Sequence, residues 1–584
     1  MKKWILLRRG ADFEGLSKEL NIDKVAVRIL INRGLDTVDK MRSFLNCGID
    51  ECTGYNGLPD IDKAVSFIRE LKAENTGVRI IGDYDADGVC ATTILMKGLQ
   101  KFGLDADFAI PHRIINGYGL SADLIEDAYR AGRNSIITCD NGIAAVDAVS
   151  LANSKGMRVF VTDHHEVPKS EDGTEEILPK AVGIVNPKRK DSTYPMKDIC
   201  GAYVAFKVIC ALFGYDRGIP DEDSDFFEEI LELAAIATVC DVMPLVGENR
   251  GIVSHLLDRI GSTPNPGLKQ LLEVTGLNGK KYEPYHISFI IGPHINATGR
   301  LDTAMRAMDL LMSADRGAAF TIANELHEIN EKRKQMTSEW VEKAVNIVEK
   351  ESLNDRNVIV LYLEGCHESL AGLVAGKIKE QFYRPVFVFT DALEGIKGSG
   401  RSIEEFDMFA NLEKCKSVLS HYGGHKMAAG LSLPKENLES FTEMINNCAD
   451  YGGSLPVEQI AIDADMPLDY VTVGLVEDIN RLEPFGMGNE KPIFARKDIK
   501  ILSAERKTDT MLILKVSDES FKSYKMIYFG NIDEFERFID AKHGKGASQR
   551  MYAGDVFTFN AAYMPKINEF RGVRSVEFQL KDYC

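Results

Sequence analysis

Residues 80–94 read IIGDYDADGVCATTI, and this stretch decides how the first half of the chain folds. Asp83, Asp85 and Asp87 stand at alternate positions before a glycine, which is the spacing of a calcium-binding EF-hand loop. That loop needs a bidentate Glu at its twelfth position, where this chain has Ile94. It also follows a helix, whereas the run VRII before these aspartates is typical of a strand. The three carboxylates therefore serve another purpose.

The whole chain has the length and composition of a multidomain protein. Its 584 residues exceed what one hydrophobic core supports, so we expect three or four domains. No apolar run approaches a membrane span, and MKKWILLRRG has too short an apolar centre for a signal peptide. The 11 cysteines include no CxxC pair and are expected to be reduced thiols, mostly buried. These features predict a cytoplasmic protein without a membrane partner.

The net charge of −18, from 70 basic and 88 acidic residues, argues on its face against a nucleic-acid partner. The argument is weak, because carboxylates gathered around divalent metals raise the acidic count. A basic groove on one face can also coexist with an acidic remainder.

Strands and helices alternate from residue 77 to about residue 187, which predicts a doubly wound parallel sheet. Such sheets bind ligands at the carboxyl ends of their strands. The run with Asp83, Asp85 and Asp87 follows the first of these strands, and Asp140 and Asp163 follow two later ones. We therefore expect five carboxylates from three strands to meet at one edge of the sheet.

The rest of the chain divides by pattern. An apolar helix ends in another acid, Asp241, a Pro-free stretch predicts a long helical connector, and a second α/β unit follows it. Short alternating strands then predict a small β-barrel or sandwich. The expected divisions are an N-terminal segment (1–60), a first α/β domain (61–300), the connector (301–352), a second α/β domain (353–450) and the β-domain (457–584).

The sequence VTDHHE at residues 161–166 adds imidazoles to the acidic edge. Adjacent residues at a strand end point in different directions, so one histidine can bind metal while the other faces a substrate. Aspartates with a single imidazole suit manganese or magnesium better than zinc. Two such ions, about 3.5 to 4 Å apart, would support phosphoryl transfer to water.

The motifs GDYDADG, CDNG, TDHHE and ATVCDVMPL resemble the four ordered motifs of the DHH phosphoesterase family. GCHESLAGLVAGKIKEQFYRPVFVF, GSGRS and YGGHKMAAGLSL are similar to its DHH-associated domain. PHRIINGYGL, INATGR and LEPFGMGNEKPIF resemble a bacterial branch of single-strand DNA exonucleases in that family. The resemblance runs from about residue 50 to the end. It implies a parallel-sheet DHH domain, a long helical connector, an α/β DHH-associated domain and a C-terminal barrel like an OB-fold.

The resemblance also implies roles for the acidic edge. It assigns two ions, manganese or magnesium, with Asp140 or Asp87 as the bridge, and it places His165 against the scissile phosphate. Asp83 and Asp163, which complete the catalytic set, either coordinate metal or orient a ligand. The implied metal ligands are Asp85, Asp87, Asp140, His164 and Asp241.

A phosphate-binding turn is predicted at GSGRS, because glycines expose backbone N–H groups and Arg401 can fork onto phosphate oxygens. By resemblance, Arg113, Ser399 and Arg401 grip a 5′-terminal phosphate. His425 is placed against the substrate backbone near the metals. Arg300 is either a further substrate contact or part of a helix-capping or interdomain salt bridge. Among the aromatic residues of the β-domain, which include Phe485, Phe494, Tyr563 and Phe570, we expect most to be core.

The expected function is a metal-dependent 5′-to-3′ exonuclease that hydrolyses single-stranded DNA to 5′-mononucleotides in repair and recombination. The alternative within enzymes is a DHH phosphodiesterase acting on short oligoribonucleotides or cyclic dinucleotides. A catalytically dead scaffold would need broken motifs, and every expected ligand position carries an acid or His. The expected partner is single-stranded DNA, with a single-strand-binding protein and a helicase as candidates beside it, and the expected state is a monomer.

Overall fold

The computed structural model of the chain describes residues 2–113, 117, 119–170, 172–220, 222–392, 394–519 and 522–584. The motif PHRIINGYGL (111–120) is therefore described only in part, because residues 114–116 and 118 lie outside the described residues. The chain forms two compact units. One joins Met1–Cys47, Leu245–Gly247 and Val457–Cys584, and the other joins Gly48–Pro244 and Glu248–Pro456.

The N-terminal segment is short and mostly helical. Each of its first two helices begins at an aspartate, Asp12 or Asp23, whose side chain accepts a hydrogen bond from a backbone N–H of the first turn. Its elements are β1 (Lys3–Leu6), α1 (Phe13–Leu20), α2 (Lys24–Asn32) and α3 (Val38–Leu45).

The first α/β region contains a five-stranded sheet in the order β3-β2-β4-β5-β6, with every pair parallel. All four residues of β2 are buried, as expected of a central parallel strand. Its one charge, on Arg79, is paired with Asp107 of β3 at 2.9 Å. The elements are α4 (Ile61–Ala73), β2 (Val78–Ile81), α5 (Ala86–Phe102), β3 (Ala106–Ala109), α6 (Ala122–Arg130), β4 (Ser135–Cys139), α7 (Val146–Ser154), β5 (Arg158–Thr162) and β6 (Gly183–Val185).

A group of helices completes this region. The first two, α8 and α9, are buried along nearly their whole length and pack on α5. The helices are α8 (Gly201–Phe213), α9 (Ser224–Cys240), α10 (Gly247–Arg259), α11 (Pro266–Val274), α12 (Pro284–His286), α13 (Gly292–Leu301) and α14 (Met305–Met312), with a π-helical turn at Ile287–Ile291.

The predicted connector is dominated by one helix, α15 (Arg316–Lys350), of 35 residues. At 1.5 Å per residue it is about 50 Å long. Its C-terminal end buries Ala344 and Val348 in the core of the next domain.

The second α/β domain has a five-stranded sheet in the order β10-β11-β9-β8-β7, in which only β7 and β8 are parallel. The motif GSGRS begins inside β9. The elements are β7 (Ile359–Tyr362), α16 (Glu368–Phe382), β8 (Val386–Asp391), β9 (Ile396–Arg401), α17 (Met408–Lys414), β10 (His421–His425), β11 (Ala428–Leu433) and α18 (Leu438–Cys448).

The C-terminal β-domain is a barrel, because β14 pairs with both β15 and β17 and so closes the sheet β14-β15-β16-β18-β17. Helices α19 to α21 were not part of the sequence-based interpretation. The elements are β12 (Gln459–Ile462), β13 (Ala464–Asp465), α19 (Val473–Asn480), β14 (Phe494–Thr508), β15 (Met511–Ser517), β16 (Tyr524–Phe529), α20 (Ile532–His543), α21 (Ala547–Ala553), β17 (Phe557–Phe570) and β18 (Val573–Tyr583).

The N-terminal segment shares the core of this barrel. Leu30 of α2 and Phe44 of α3 belong to the same buried cluster as Phe494 and Phe535. Strand β1 pairs in parallel with β12. The predicted fold class is confirmed, whereas the domain bounds remain a prediction. Within the described residues, no helix combines the length and the apolar character that crossing a membrane requires.

Candidate active site

The predicted acids stand together at the carboxyl edge of the parallel sheet. Asp83 and Asp85 follow β2, and Asp140 follows β4 in a left-handed backbone conformation with φ of 60°. Asp163 follows β5, and Asp241 is the residue after the last turn of α9. Because parallel strands end at one edge, four sequence-distant segments converge there.

Seven side chains form three overlapping clusters that could hold metal, with potential ligand atoms within 4.8 Å of one another in each cluster. Two of these clusters share no residue, and the third bridges them through Asp140 and His164. The clusters are Asp83–Asp85–Asp140, Asp87–His164–Asp241 and Asp140–His164–His165. All five predicted metal ligands are therefore brought together, and Asp83 joins them.

Asp163 lies behind the histidines and orients them. One of its oxygens accepts hydrogen bonds from the backbone N–H groups of His164 and His165, at 2.7 and 3.1 Å. The same oxygen lies 2.8 Å from Nδ1 of His165, and the other accepts the N–H of Ile143. Of the two roles open from the sequence, this geometry favours orientation over coordination.

His165 is the cation of this pair. Burial would lower its pKa, but the hydrogen bond to Asp163 and the charges of Asp163 and Asp241 outweigh burial and raise the pKa to about 9. His165 is therefore protonated at neutral pH. Its ring is tilted by 59° against that of His164, so the two histidines face different directions, as the sequence predicts.

His164 presents Nε2 to three carboxylates, at 3.1 Å from Asp140, 3.5 Å from Asp87 and 3.6 Å from Asp241. Burial lowers the pKa of His164, which favours the neutral form of the ring. Among the described residues, neither His164 Nε2 nor Asp241 Oδ2 has a hydrogen-bond partner. Buried acceptor atoms that face each other fit a divalent cation between them.

The charge of the site leads to the same conclusion. Burial, followed by repulsion from neighbouring aspartates, raises the pKa values of Asp85, Asp140 and Asp241. The pKa of Asp83 is raised for the same reasons, although the positive charge of Arg113 opposes the shift. Oxygen ligands with one imidazole suit manganese or magnesium. When bound, such a cation neutralises charge that develops on a phosphoryl group and makes water a better nucleophile.

A cavity of about 320 Å³ lies next to this acidic edge. It is lined on one side by Tyr84 and Arg113 of the first α/β region and on the other by Ser369, Gly372 and Ser399 of the second domain. Arg113 lies over the ring of Tyr84, 4.8 Å from its centre. Two of the three predicted terminal-phosphate residues therefore face one space, although they are far apart in sequence.

The third, Arg401, lies behind Ser399 and donates to its hydroxyl at 3.2 Å. Gly372 makes room for this pair, because a Cβ atom there would stand 2.8 Å from Ser399 Oγ and 2.9 Å from the Arg401 guanidinium. Burial, and then the charge of Arg113, lowers the pKa of Arg401. Arg113 and Ser399 at the cavity wall, with Arg401 behind Ser399, make a cationic pocket, although Arg401 does not itself line the cavity.

Arg300 extends the cationic region. It donates to the backbone oxygen of Ser369 at 2.9 Å. Burial and then the charges of Arg113, Arg333 and Arg401 lower its pKa to about 9. Among the described residues, none of these four arginines has a carboxylate within 4.0 Å, and Glu368, which also lines the cavity, is paired with Lys397 at 3.1 Å.

His425 is exposed at the end of β10, opposite Ala428 of β11, which in turn pairs with Arg401 of β9. Its contact with the substrate backbone stays a prediction. In the barrel, Phe494 and Tyr563 are fully buried and Phe485 is half-buried, whereas Phe570 is 66% exposed.

Sequence reasoning missed two residues of the site. Asn141 donates to the backbone oxygens of Ile81 and Cys139 and so ties the ends of β2 and β4 together. A buried amide after a strand end would have been a signal for it. Arg333, on α15, is the other, and nothing in its sequence context separates it from a surface arginine.

Three parts of the chain match known families. Residues 77–238 match the DHH family, N-terminal domain, residues 355–450 match the DHHA1 domain, and residues 462–582 match the RecJ OB domain. With the acidic edge and the cationic pocket, these matches define a DHH phosphoesterase.

Whole-chain relatives narrow the class. The chain is 31% identical over 513 residues to the single-stranded-DNA-specific exonuclease RecJ of Escherichia coli, covering 85% of this chain and 87% of that protein. It is 36% identical to the Bacillus subtilis protein of that name over 84% of this chain, and this alignment spans 61% of that longer relative. The crystal structure of Thermus thermophilus RecJ with Mn²⁺ aligns with a TM-score of 0.81 at 25% identity, covering 100% of this chain and 79% of that one. The chain belongs to the RecJ family.

Proposed function

We infer that this chain is a divalent-metal-dependent exonuclease that acts on single-stranded DNA. The observation that carries the inference is the cavity lined by both Arg113 and Ser399, which lies beside the acidic edge in one compact unit. The substrate class rests on the relatives, which are named single-stranded-DNA-specific exonucleases. The metal site rests on the seven-residue cluster and on a relative crystallised with Mn²⁺.

We propose that Asp85, Asp87, Asp140, His164 and Asp241 hold two ions, with Asp83 beside them. His165, fixed by Asp163, holds the scissile phosphate through its positive charge. Asp163 is then a positioning residue. For hydrolysis, the chain must hold the negatively charged phosphodiester close to the carboxylates of the acidic edge. The positive charge of His165 offsets the repulsion between those carboxylates and the phosphodiester.

The cationic pocket supports a fixed direction of degradation. A 5′-terminal phosphate is a dianion with three free oxygens, and Arg113, Ser399 and Arg401 offer donors for several of them. An internal phosphodiester has fewer free oxygens and a chain on each side, so it cannot fill such a pocket. We therefore propose 5′-to-3′ hydrolysis that releases 5′-mononucleotides, serving repair and recombination.

A phosphodiesterase for short oligoribonucleotides or cyclic dinucleotides would need only the metal site. The closed barrel, which matches the RecJ OB domain over residues 462–582, favours long strands. A single-strand-binding protein and a helicase remain candidate partners, because they produce and cover such strands. We also propose that the enzyme is a monomer and works in the cytoplasm, where a bacterial cell keeps its DNA.

The deciding experiment compares 5′-labelled and 3′-labelled single strands and duplexes, each with Mn²⁺, Mg²⁺ or EDTA. We expect immediate release of labelled mononucleotide only from the 5′-labelled single strand, and only with a divalent ion. Early release of the 3′ label would contradict the direction, and equal degradation of duplexes would contradict the substrate class.

A further inference from the structure

The first turn of α8 holds one of the acids of the site. The backbone N–H of Gly201 donates to one oxygen of Asp87 and that of Ala202 donates to the other, both at 2.7 Å. Two donors on two oxygens fix the plane of the carboxylate as well as its position. The positive end of the helix dipole lies on the same side, which favours the anion.

The same residue sets the position of a second acid. A Cβ atom on Gly201 would stand 2.6 Å from Cβ and 2.8 Å from Cα of Asp140, closer than real Cβ contacts allow. Only glycine therefore lets the start of α8 lie flat against Asp140. The distance between Asp87 and Asp140, which belong to different metal clusters, depends on this contact.

Helix α8 cannot easily shift to make room for a larger residue at position 201. Nearly two turns further on, Lys207 forms a buried ion pair with Glu248 at 3.0 Å, and the hydroxyl groups of Tyr194 and Tyr203 donate to the same carboxylate. Lys207 also donates to the backbone oxygen of Thr53. Breaking such a buried network is costly, so the helix is held in place along its length.

We propose that Gly201 is a positioning residue that spaces Asp87 and Asp140 and thereby sets the affinity of the site for divalent metal. The inference rests on the proposed metal-dependent function. Partners that orient metal ligands typically contribute 10- to 100-fold to metal affinity, and we expect a loss of about that size when Gly201 gains a side chain.

The test measures Mn²⁺ binding to the full chain by titration calorimetry, with no substrate present. Gly201→Ala adds the Cβ atom, and Ala202→Pro removes the other donor at a helix position where proline is tolerated. Ala202→Gly keeps that N–H and is its control. Gly98→Ala, on α5, is the control for packing. Its Cβ atom would press on Ile209 of α8 without touching the acids.

We expect Gly201→Ala and Ala202→Pro to weaken Mn²⁺ binding about 10- to 100-fold, while the two controls bind Mn²⁺ like the wild type. Binding of a single-stranded oligonucleotide in EDTA should be the same in all variants, which a general structural defect would not leave intact. If both test variants bound Mn²⁺ with wild-type affinity, or if Gly98→Ala lost as much Mn²⁺ affinity as they did, the role of Gly201 would be overturned while the proposed function would stand. Absence of Mn²⁺ binding by the wild type would overturn the proposed function with it.

Discussion

Nε2 of His164 lies 3.1 Å from Oδ1 of Asp140, the shortest of three approaches between this ring and carboxylates of the site. Both side chains are almost fully buried. A neutral imidazole nitrogen and a carboxylate oxygen at this distance repel each other unless a proton or a cation lies between them. A change to this pair should therefore alter both metal-dependent hydrolysis and the stability of the fold.

Asp140→Asn should abolish hydrolysis, because the amide has the same shape but lacks the charge that both adjoining metal clusters share. In EDTA the variant should melt no lower than the wild type, since one of several repelling carboxylates is gone. The rise in melting temperature on adding Mn²⁺ should be lost. Calorimetry with and without Mn²⁺, alongside an exonuclease assay, measures both effects. Asp147→Asn, at an exposed position of α7, is the matched control, and wild-type turnover in Asp140→Asn would refute the metal site.

Stability should depend on pH in a way that metal reverses. The folded-state pKa values of Asp83, Asp85, Asp140 and Asp241 are raised above the ordinary carboxyl value. Their ionisation therefore costs stability as pH rises above that ordinary value, and the cost grows until the raised pKa values are passed. The difference in melting temperature between Mn²⁺ and EDTA should widen from pH 5 to pH 8 in the wild type. Asp140→Asn should show a flatter profile, and a constant wild-type difference would contradict the electrostatic account.

Arg401→Ala should narrow the preference for a 5′-phosphate. A charge-assisted hydrogen bond contributes about 1.5 to 3 kcal/mol, so the rate on 5′-phosphorylated strands should fall roughly 10- to 100-fold. Strands with a 5′-hydroxyl should lose much less, because they never made the contact fully. Initial rates on the two substrates at saturating Mn²⁺ measure this. The exposed Lys416 of the same domain offers Lys416→Ala as a control. Equal losses on both substrates would make Arg401 a general backbone contact.

Two phenylalanines of the barrel should separate stability from binding. Phe494 is fully buried, and Phe494→Ala should cost about 3 to 5 kcal/mol of unfolding free energy. Phe570 stands exposed at the end of β17, with Arg571 5.1 Å from its ring centre. Phe570→Ala should leave the melting temperature unchanged but weaken binding of a long single strand roughly 5- to 150-fold, the range of one base stack. Fluorescence anisotropy in EDTA measures the affinity for the strand. An unchanged affinity would show that the end of β17 does not contact DNA.

The acidic edge could be predicted because its rule is topological. Asp83, Asp140 and Asp163 each lie within two residues of the end of an apolar strand, and parallel strands bring such residues together whatever the details of packing. That Arg113 and Ser399 line one cavity could be predicted only from family resemblance, because no local sequence pattern joins residues of two domains.

What the sequence did not reveal depends on backbone groups and distant contacts. Gly201 acts through an N–H and a missing Cβ, and neither is encoded in a residue type that attracts notice. The N-terminal helices gave no sign of their partner, because hydrophobic periodicity shows which face is buried but not what covers it.

That shared core has a consequence for synthesis on the ribosome. Helices α1 to α3 pack with barrel strands that the chain reaches only after about 400 further residues. At roughly 5 to 20 residues per second, their apolar faces remain uncovered for about 20 to 80 seconds after they emerge. During that interval the nascent chain carries a segment that is a natural client for chaperones, while the unit that contains the acidic edge, which is synthesised in the meantime, can already fold.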